Sequence, residues 1–219
     1  MQIQILRPGK VRDRIVYWTA WIALAIPLPV SLWSGATGGM RGRDAMVVHL
    51  GHWAIRVLLL GFALSPAARL LRQPVLHRYK RTVGLFGFAY AAVHGVYYVF
   101  YGRVWEFSLP IWERRLYIPL GILALVLLVP LAATSTDGMI RRMGPLAWRR
   151  LHASFYAAIL IAAVHGVWQN NIDYLQPSLY LGLTVLLLAV RVPPVMRGLM
   201  ALTGGRRGRR RAQVSALAP

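Results

Sequence analysis

The sequence predicts an all-α integral membrane bundle of about six transmembrane helices, N-in and C-in. Three observations carry this reading. Of the 219 residues, 57% are hydrophobic and only 15% charged, whereas a soluble domain carries about 25% charged residues. Six apolar runs, at 15–34, 46–64, 82–101, 116–133, 149–169 and 174–192, approach the roughly 20 residues that a span needs. The charge lies between them. With the N-terminus inside, the inner segments 1–14, 65–81, 134–150 and 191–219 hold 20 of the 26 Lys and Arg. Outer loops hold five, and Arg56 alone falls within a span. That bias is the positive-inside rule. Four of the six acids (Asp44, Glu106, Glu113 and Asp173) run the other way, into outer loops.

The chain therefore divides into a cytoplasmic N-terminus (1–14), a transmembrane domain (15–194) and a basic cytoplasmic tail (195–219). The net charge of +20 follows topology, so no nucleic acid is expected. The tail RRGRRR (206–211) reads as an anchor touching anionic lipid of the bilayer. No cysteine is present, which excludes disulfides, zinc–thiolate sites and iron–sulfur clusters. The opening MQIQILRPGKVRDR runs into a full-length span, so it reads as an uncleaved first helix rather than a signal peptide.

Span one carries Pro27 and Pro29, which should kink or break it near its outer third. Its exit SGATGG reads as a flexible outer loop. Span two ends at Ser65-Pro66. The following ARLLRQPVLHRYKR is basic with interspersed Leu, as an interfacial segment is. Span three is rich in small and aromatic residues. Trp105, Phe107 and Trp112 in the outer loop 102–115 form an aromatic belt. Span four is mostly Leu and Val and faces lipid. Span five resembles span three, and small residues favour close packing, which places spans three and five in the bundle interior. Span six is Leu-rich and ends at Pro193-Pro194.

Ionisable groups within a membrane are costly and mark candidate sites. Residues 91–96 and 162–167 are both AAVHGV, carrying His94 and His165 on two spans that run in the same direction. At about 1.5 Å per residue both sit roughly 18–22 Å from the inner face. Flanking Gly and Ala leave room for a flat macrocycle. Two facing imidazoles within a membrane suit axial ligation of haem iron. Zinc usually takes more ligands, and no acid lies inside any span. The competing structural reading is a packed, hydrogen-bonded histidine pair.

His152 lies 13 residues before His165, about 20 Å along the same helix, which suits a second, inner haem. The two side chains would point about 140° apart on an ideal helix, and the position 13 before His94 is Arg81. His77 lies in the loop from which an inner ligand would have to come. Arg56, buried in span two, needs an anion, for which a haem propionate is suited; snorkelling or pairing with a backbone carbonyl is the alternative. Arg56 and Arg81 are the candidate cofactor-binding cations beside His94, His152 and His165. His49 and His52 read as interfacial residues. Tyr90, Tyr97, Tyr98 and Trp168 read as packing. No GxGxxG or P-loop is present, so if haem is bound, electrons must arrive from a mobile donor or a separate reductase.

The stretches SPAARLLRQPVLHRYKRTVGLFGFAYAAVHGVYY and TSTDGMIRRMGPLAWRRLHASFYAAILIAAVHGVWQ resemble the MsrQ (YedZ) family, within the ferric-reductase-like transmembrane superfamily. The family's double arginine before the third span reads Lys80-Arg81 here, and the glycine-leucine after it Gly84-Leu85. The resemblance implies b-type haem, one or two, held by His94, His152 and His165, with FMN as a further cofactor. It implies quinol or a cytosolic flavin reductase as electron donor. It implies an MsrP-like periplasmic molybdopterin methionine-sulfoxide reductase as acceptor, and a multi-pass place in the bacterial cell inner membrane. The chain would then transfer electrons and itself reduce no substrate. The alternatives are a stand-alone ferric or cupric reductase, a quinol cytochrome for another acceptor, and a haem-free transporter or scaffold.

Overall fold

Proline and glycine set where the helices break. The computed structural model describes residues 11–101, 116–169 and 174–202. The N-terminus before Val11, the aromatic belt of 102–115, Asp173 and the RRGRRR tail lie outside the described residues. The first apolar run forms α1 (Val11–Ala25) and α2 (Pro27–Thr37). Pro27 and Pro29 have no N–H to give, and the Val30 N–H reaches the Ile26 carbonyl over a long 3.4 Å. The expected break therefore falls at Ile26.

SGATGG is not the flexible loop expected of it. α2 continues to Thr37, and α3 (Gly39–Leu70) begins two residues later. Gly39 takes φ +60°, a conformation glycine adopts freely. A Cβ at Gly38 would lie 2.7 Å from the Gly42 Cα, and one at Gly42 2.7 Å from the Ser34 oxygen. The glycines let two helix ends touch, so the connection shrinks to a tight helical hairpin.

α3 also outruns its predicted end at Ser65-Pro66. Pro66 leaves the Phe62 carbonyl without its usual donor four residues on, and an Arg191 Nη2–H fills that place at 2.6 Å. The helix stops at Arg72, which takes φ +55°. The Arg72 N–H bonds the Arg69 oxygen at 3.3 Å and the Gln73 N–H bonds the Ala68 oxygen at 2.9 Å. This is the paired bonding of a Schellman cap, with arginine where glycine is usual.

A 3₁₀ turn (Pro74–Arg78) leads into α4 (Lys80–Tyr101), followed by α5 (Tyr117–Ala133) and α6 (Asp137–Met143). α6 turns 92° from α5, capped by Thr136 Oγ1, which accepts the Met139 N–H at 3.2 Å. α7 (Pro145–Ala153) and α8 (Phe155–Gln169) follow. Only Ser154 separates them, its N–H reaching the Leu151 oxygen at 3.0 Å, a local 3₁₀ tightening. α9 (Leu175–Ala189) ends where α10 (Pro193–Leu202) turns away by 89°. The sixth span thus stops near Pro193-Pro194 as expected, although the chain resumes as helix.

Four stretches are long and apolar enough to cross a membrane: Tyr17–Thr37, Arg41–Leu70, Lys80–Phe100 and Pro145–Gln169. Counting each of the bent pairs α5–α6 and α9–α10 as one span brings the number up to six. Every ordered element among the described residues is helical. The molecule is an all-α membrane bundle.

Its interior differs from expectation. α3, not the helices of spans three and five, is the buried centre. In its apolar window 39% of residues are buried, against 17% in each of the other three single-helix spans. α3 carries large side chains on two faces. Met46, Leu50, Ala54 and Val57 pack with Val83 and Tyr90 of α4. Ile55, Leu58, Leu59 and Phe62 pack with Leu128 of α5, with Ala158, Ile159 and Ala163 of α8, and with Leu187 of α9. The small residues of α4 and α8 permit approach but offer less area to bury. Ile122, Leu123, Val126 and Val129 of α5 are exposed, a lipid-facing stripe as expected of span four.

Candidate functional site

His94 projects from α4 and His165 from α8. Each ring is seated against a different neighbouring helix. His94 Nδ1–H donates to the Val47 carbonyl of α3 at 2.8 Å. His165 Nδ1–H donates to the Tyr117 carbonyl of α5 at 2.6 Å. A carbonyl only accepts, so the proton sits on Nδ1, and in the neutral ring Nε2 keeps its lone pair. The two ring centroids lie 6.4 Å apart with planes crossing at 73°. Histidines 71 residues apart in sequence thus meet at one depth.

His152 sits on α7. Its Nδ1–H donates to the Trp148 carbonyl at 3.1 Å, and its ring stacks on the Trp148 indole at 3.8 Å. The indole N–H donates in turn to the Thr134 carbonyl at 3.0 Å, tying α7 to the end of α5. His152 Nε2 is buried without a hydrogen-bond partner.

The cations have specific places. Arg56 Nε–H donates to the Tyr180 hydroxyl at 2.6 Å, and its guanidinium lies 5.3 Å from the Trp53 ring centre. Aromatic faces and a phenol hold this charge within the span. Arg81 pairs with Asp137 at 2.8 Å, joining α4 to α6. His49 Nδ1 lies 2.9 Å from Ser31 Oγ, which itself donates to the Pro27 carbonyl at 2.6 Å. The His52 ring lies 6.2 Å from that of Tyr180. His77 stays exposed on the 3₁₀ turn. Tyr90 donates to the Leu24 carbonyl at 2.7 Å and is a packing residue.

Sequence reasoning missed the seats. Gly51 and Gly121 lie beneath the two imidazoles: a Cβ at Gly51 would stand 3.1 Å from His94 Cε1, and one at Gly121 2.8 Å from His165 Cε1. Gly121 is the one glycine of α5, but Gly51 is one of four in α3, so the sequence alone did not single it out. Tyr180 carried no signal, and Trp148 stood out only as the tryptophan of the WRRLH stretch.

Residues 50–163 match the ferric reductase like transmembrane component family. A protein-methionine-sulfoxide reductase heme-binding subunit MsrQ from Caulobacter vibrioides is 40% identical over 191 residues, 85% of this chain and 90% of that protein. The chain belongs to the MsrQ family. MsrQ proteins of Rhodospirillum rubrum and Xanthomonas campestris are 37% and 36% identical, over 86% and 78% of this chain and 92% and 82% of their own length. The ferric-reductase match includes Gly51, His94, Gly121 and His152, and ends two residues before His165.

Proposed function

We propose that the chain is the transmembrane electron-transfer subunit of a protein-methionine-sulfoxide reductase system, and that His94 and His165 hold a b-type haem. One observation carries this reading: the 6.4 Å between the two ring centres. Two metal–imidazole bonds of about 2 Å each, plus the reach from ring centre to nitrogen on either side, come to about 6 Å. The donors suit the group, since both Nδ1 atoms are held by carbonyls and both Nε2 atoms keep a lone pair. The described residues contain no cluster of three His, Cys, Asp or Glu side chains able to hold a metal ion. An ion seated here would have two protein ligands, whereas porphyrin brings its own four nitrogens. Haem held by two imidazoles supplies a one-electron carrier, with a potential set by its ligands and surroundings.

The names of the relatives, heme-binding subunits of a protein-methionine-sulfoxide reductase, support the system. In this reading His152, with its unpartnered Nε2, contributes to a second, inner haem. Arg56 and Arg81 are the cofactor-binding cations. Arg56, held by Tyr180, offers its remaining N–H groups to a propionate. Quinol or a cytosolic flavin reductase donates near the basic inner segments 65–81 and 134–150. FMN near those segments belongs to the reading through family resemblance alone. An MsrP-like periplasmic molybdopterin enzyme accepts at the outer side, around 35–45, 102–115 and 170–176. The membrane is the bacterial inner one, with both termini cytoplasmic.

A reduced-minus-oxidised spectrum of the purified protein tests the assignment. His94→Ala and His165→Ala should each lose the haem they hold, while His152→Ala should leave that haem in place. Full haem in both of the first two variants overturns the ligand pair. A pyridine haemochrome assay separates one haem per chain from two.

A further inference from the structure

The two imidazole seats are built alike, although they lie on different helices. In each, the accepting carbonyl belongs to residue i of the neighbouring helix, and residue i+4 of that helix is a glycine. Val47 precedes Gly51 on α3, and Tyr117 precedes Gly121 on α5. The helical N–H of residue i+4 points at the same carbonyl that the imidazole uses. A side chain at i+4 would therefore stand beside the incoming ring. At Gly51 an added Cβ would lie 3.1 Å from His94 Cε1 and 3.2 Å from Nδ1. At Gly121 it would lie 2.8 Å from His165 Cε1 and 2.9 Å from Nδ1. Both contacts are tighter than ordinary carbon–nitrogen or carbon–carbon packing of about 3.5–4.0 Å.

We propose that Gly51 and Gly121 are positioning residues, each opening a notch in which one imidazole seats on a helix carbonyl and turns its Nε2 toward the facing histidine. The inference rests on the haem reading above and adds to it the groups that aim the ligands. Glycine costs about 1 kcal/mol relative to alanine within a helix. Here the missing side chain does what alanine cannot, by admitting a ring at carbonyl distance. Other close-packed glycines among the described residues meet aliphatic side chains or backbone rather than a ring, as Gly87 meets Leu58 at 2.7 Å and Gly95 meets Leu125 at 2.8 Å, and nothing lies within 4 Å of a Cβ built at Gly182, so that position on α9 serves as a control.

The seats are not equally tight, and that ranks the variants. Gly121→Ala forces the His165 ring to move, because a 2.8 Å contact is not accommodated without a shift. Gly51→Ala requires a displacement of only a few tenths of an ångström. Alanine has the higher helix propensity, so both variants should fold.

The test uses the full-length protein in detergent with three variants, Gly121→Ala, Gly51→Ala and Gly182→Ala. Low-spin electron paramagnetic resonance, redox titration and haem retention are the readouts. Loss of a partner that orients a metal ligand typically weakens binding 10–100-fold. Gly121→Ala should weaken haem retention by about that factor, change the low-spin g values and move the potential. Gly51→Ala should do the same to a smaller extent, and Gly182→Ala should match the parent. Wild-type g values and potential in Gly121→Ala overturn the proposal, as does an equal response from Gly182→Ala. A parent protein that binds no haem fails the functional reading instead. In that case ¹⁵N NMR of the histidine rings still tests the notches. The parent should show Nδ1-protonated rings at His94 and His165, and Gly121→Ala should lose that signature at His165 alone. Unchanged His165 resonances there also overturn the proposal.

Discussion

Arg72 holds a backbone conformation that its side chain does not favour. Its φ of +55° costs an L-residue roughly 1–2 kcal/mol relative to a right-handed conformation, yet both cap bonds of α3 depend on it. Glycine at this position would satisfy the same bonds without the steric cost, although it gives back part of the gain through a more flexible unfolded chain. Arg72→Gly should therefore hold stability level or raise it by up to about 1 kcal/mol, read as the thermal midpoint of the detergent-solubilised protein. A lower midpoint would contradict this. At the same scale, the duplicated AAVHGV made His94 and His165 legible, because a repeat of six identical residues is visible in one sequence. Gly51 was not, since the ring it admits lies 43 positions away and no local pattern links them.

Between elements, the junction of α3 with the end of α9 turns on a missing hydrogen bond. Pro66 deprives the Phe62 carbonyl of a donor, and Arg191 supplies one at 2.6 Å with its guanidinium 3.9 Å from the Phe62 ring centre. Hydrogen bonds to charged groups contribute about 1.5–3 kcal/mol. Arg191→Leu should destabilise by about 2 kcal/mol on that scale. In a Pro66→Ala background the helix regains its own N–H, so the same change should cost about 1 kcal/mol less. A double-mutant cycle from unfolding in micelles reads the difference, and strict additivity would refute the arrangement. The Arg81–Asp137 pair is different: its side chains are 40% and 25% exposed, and such a pair contributes at most about 1 kcal/mol. Helix existence was readable from apolar length. Helix ends were not, because Gly38-Gly39 closed a connection that composition reads as a loop, and Pro66 was tolerated through a residue 125 positions away.

For the whole molecule, the distribution of Lys and Arg predicts both termini in the cytoplasm. A C-terminal fusion to green fluorescent protein should glow, and a C-terminal alkaline phosphatase fusion should be inactive; the opposite pattern would reverse the orientation. The bundle was legible as a count of spans but not as an arrangement. Small residues suggested that spans three and five form the interior, while large apolar side chains on both faces of α3 made that helix the centre. Burial follows area as well as closeness of approach, and sequence position alone does not say which helix has neighbours on both sides.

The two histidine seats belong to separate helix pairs. Val47, Gly51 and His94 all lie on α3 and α4, and Tyr117, Gly121 and His165 on α5 and α8. Each pair carries the carbonyl that its own ring uses. Each seat can therefore be completed in turn as the chain grows: the first once α4 has emerged, the second only after α8. A ligand spanning 6.4 Å between them would act as a rivet between two prefabricated plates, fastening the early part of the chain to the late part and reporting, by its own retention, that synthesis and insertion reached the end of α8.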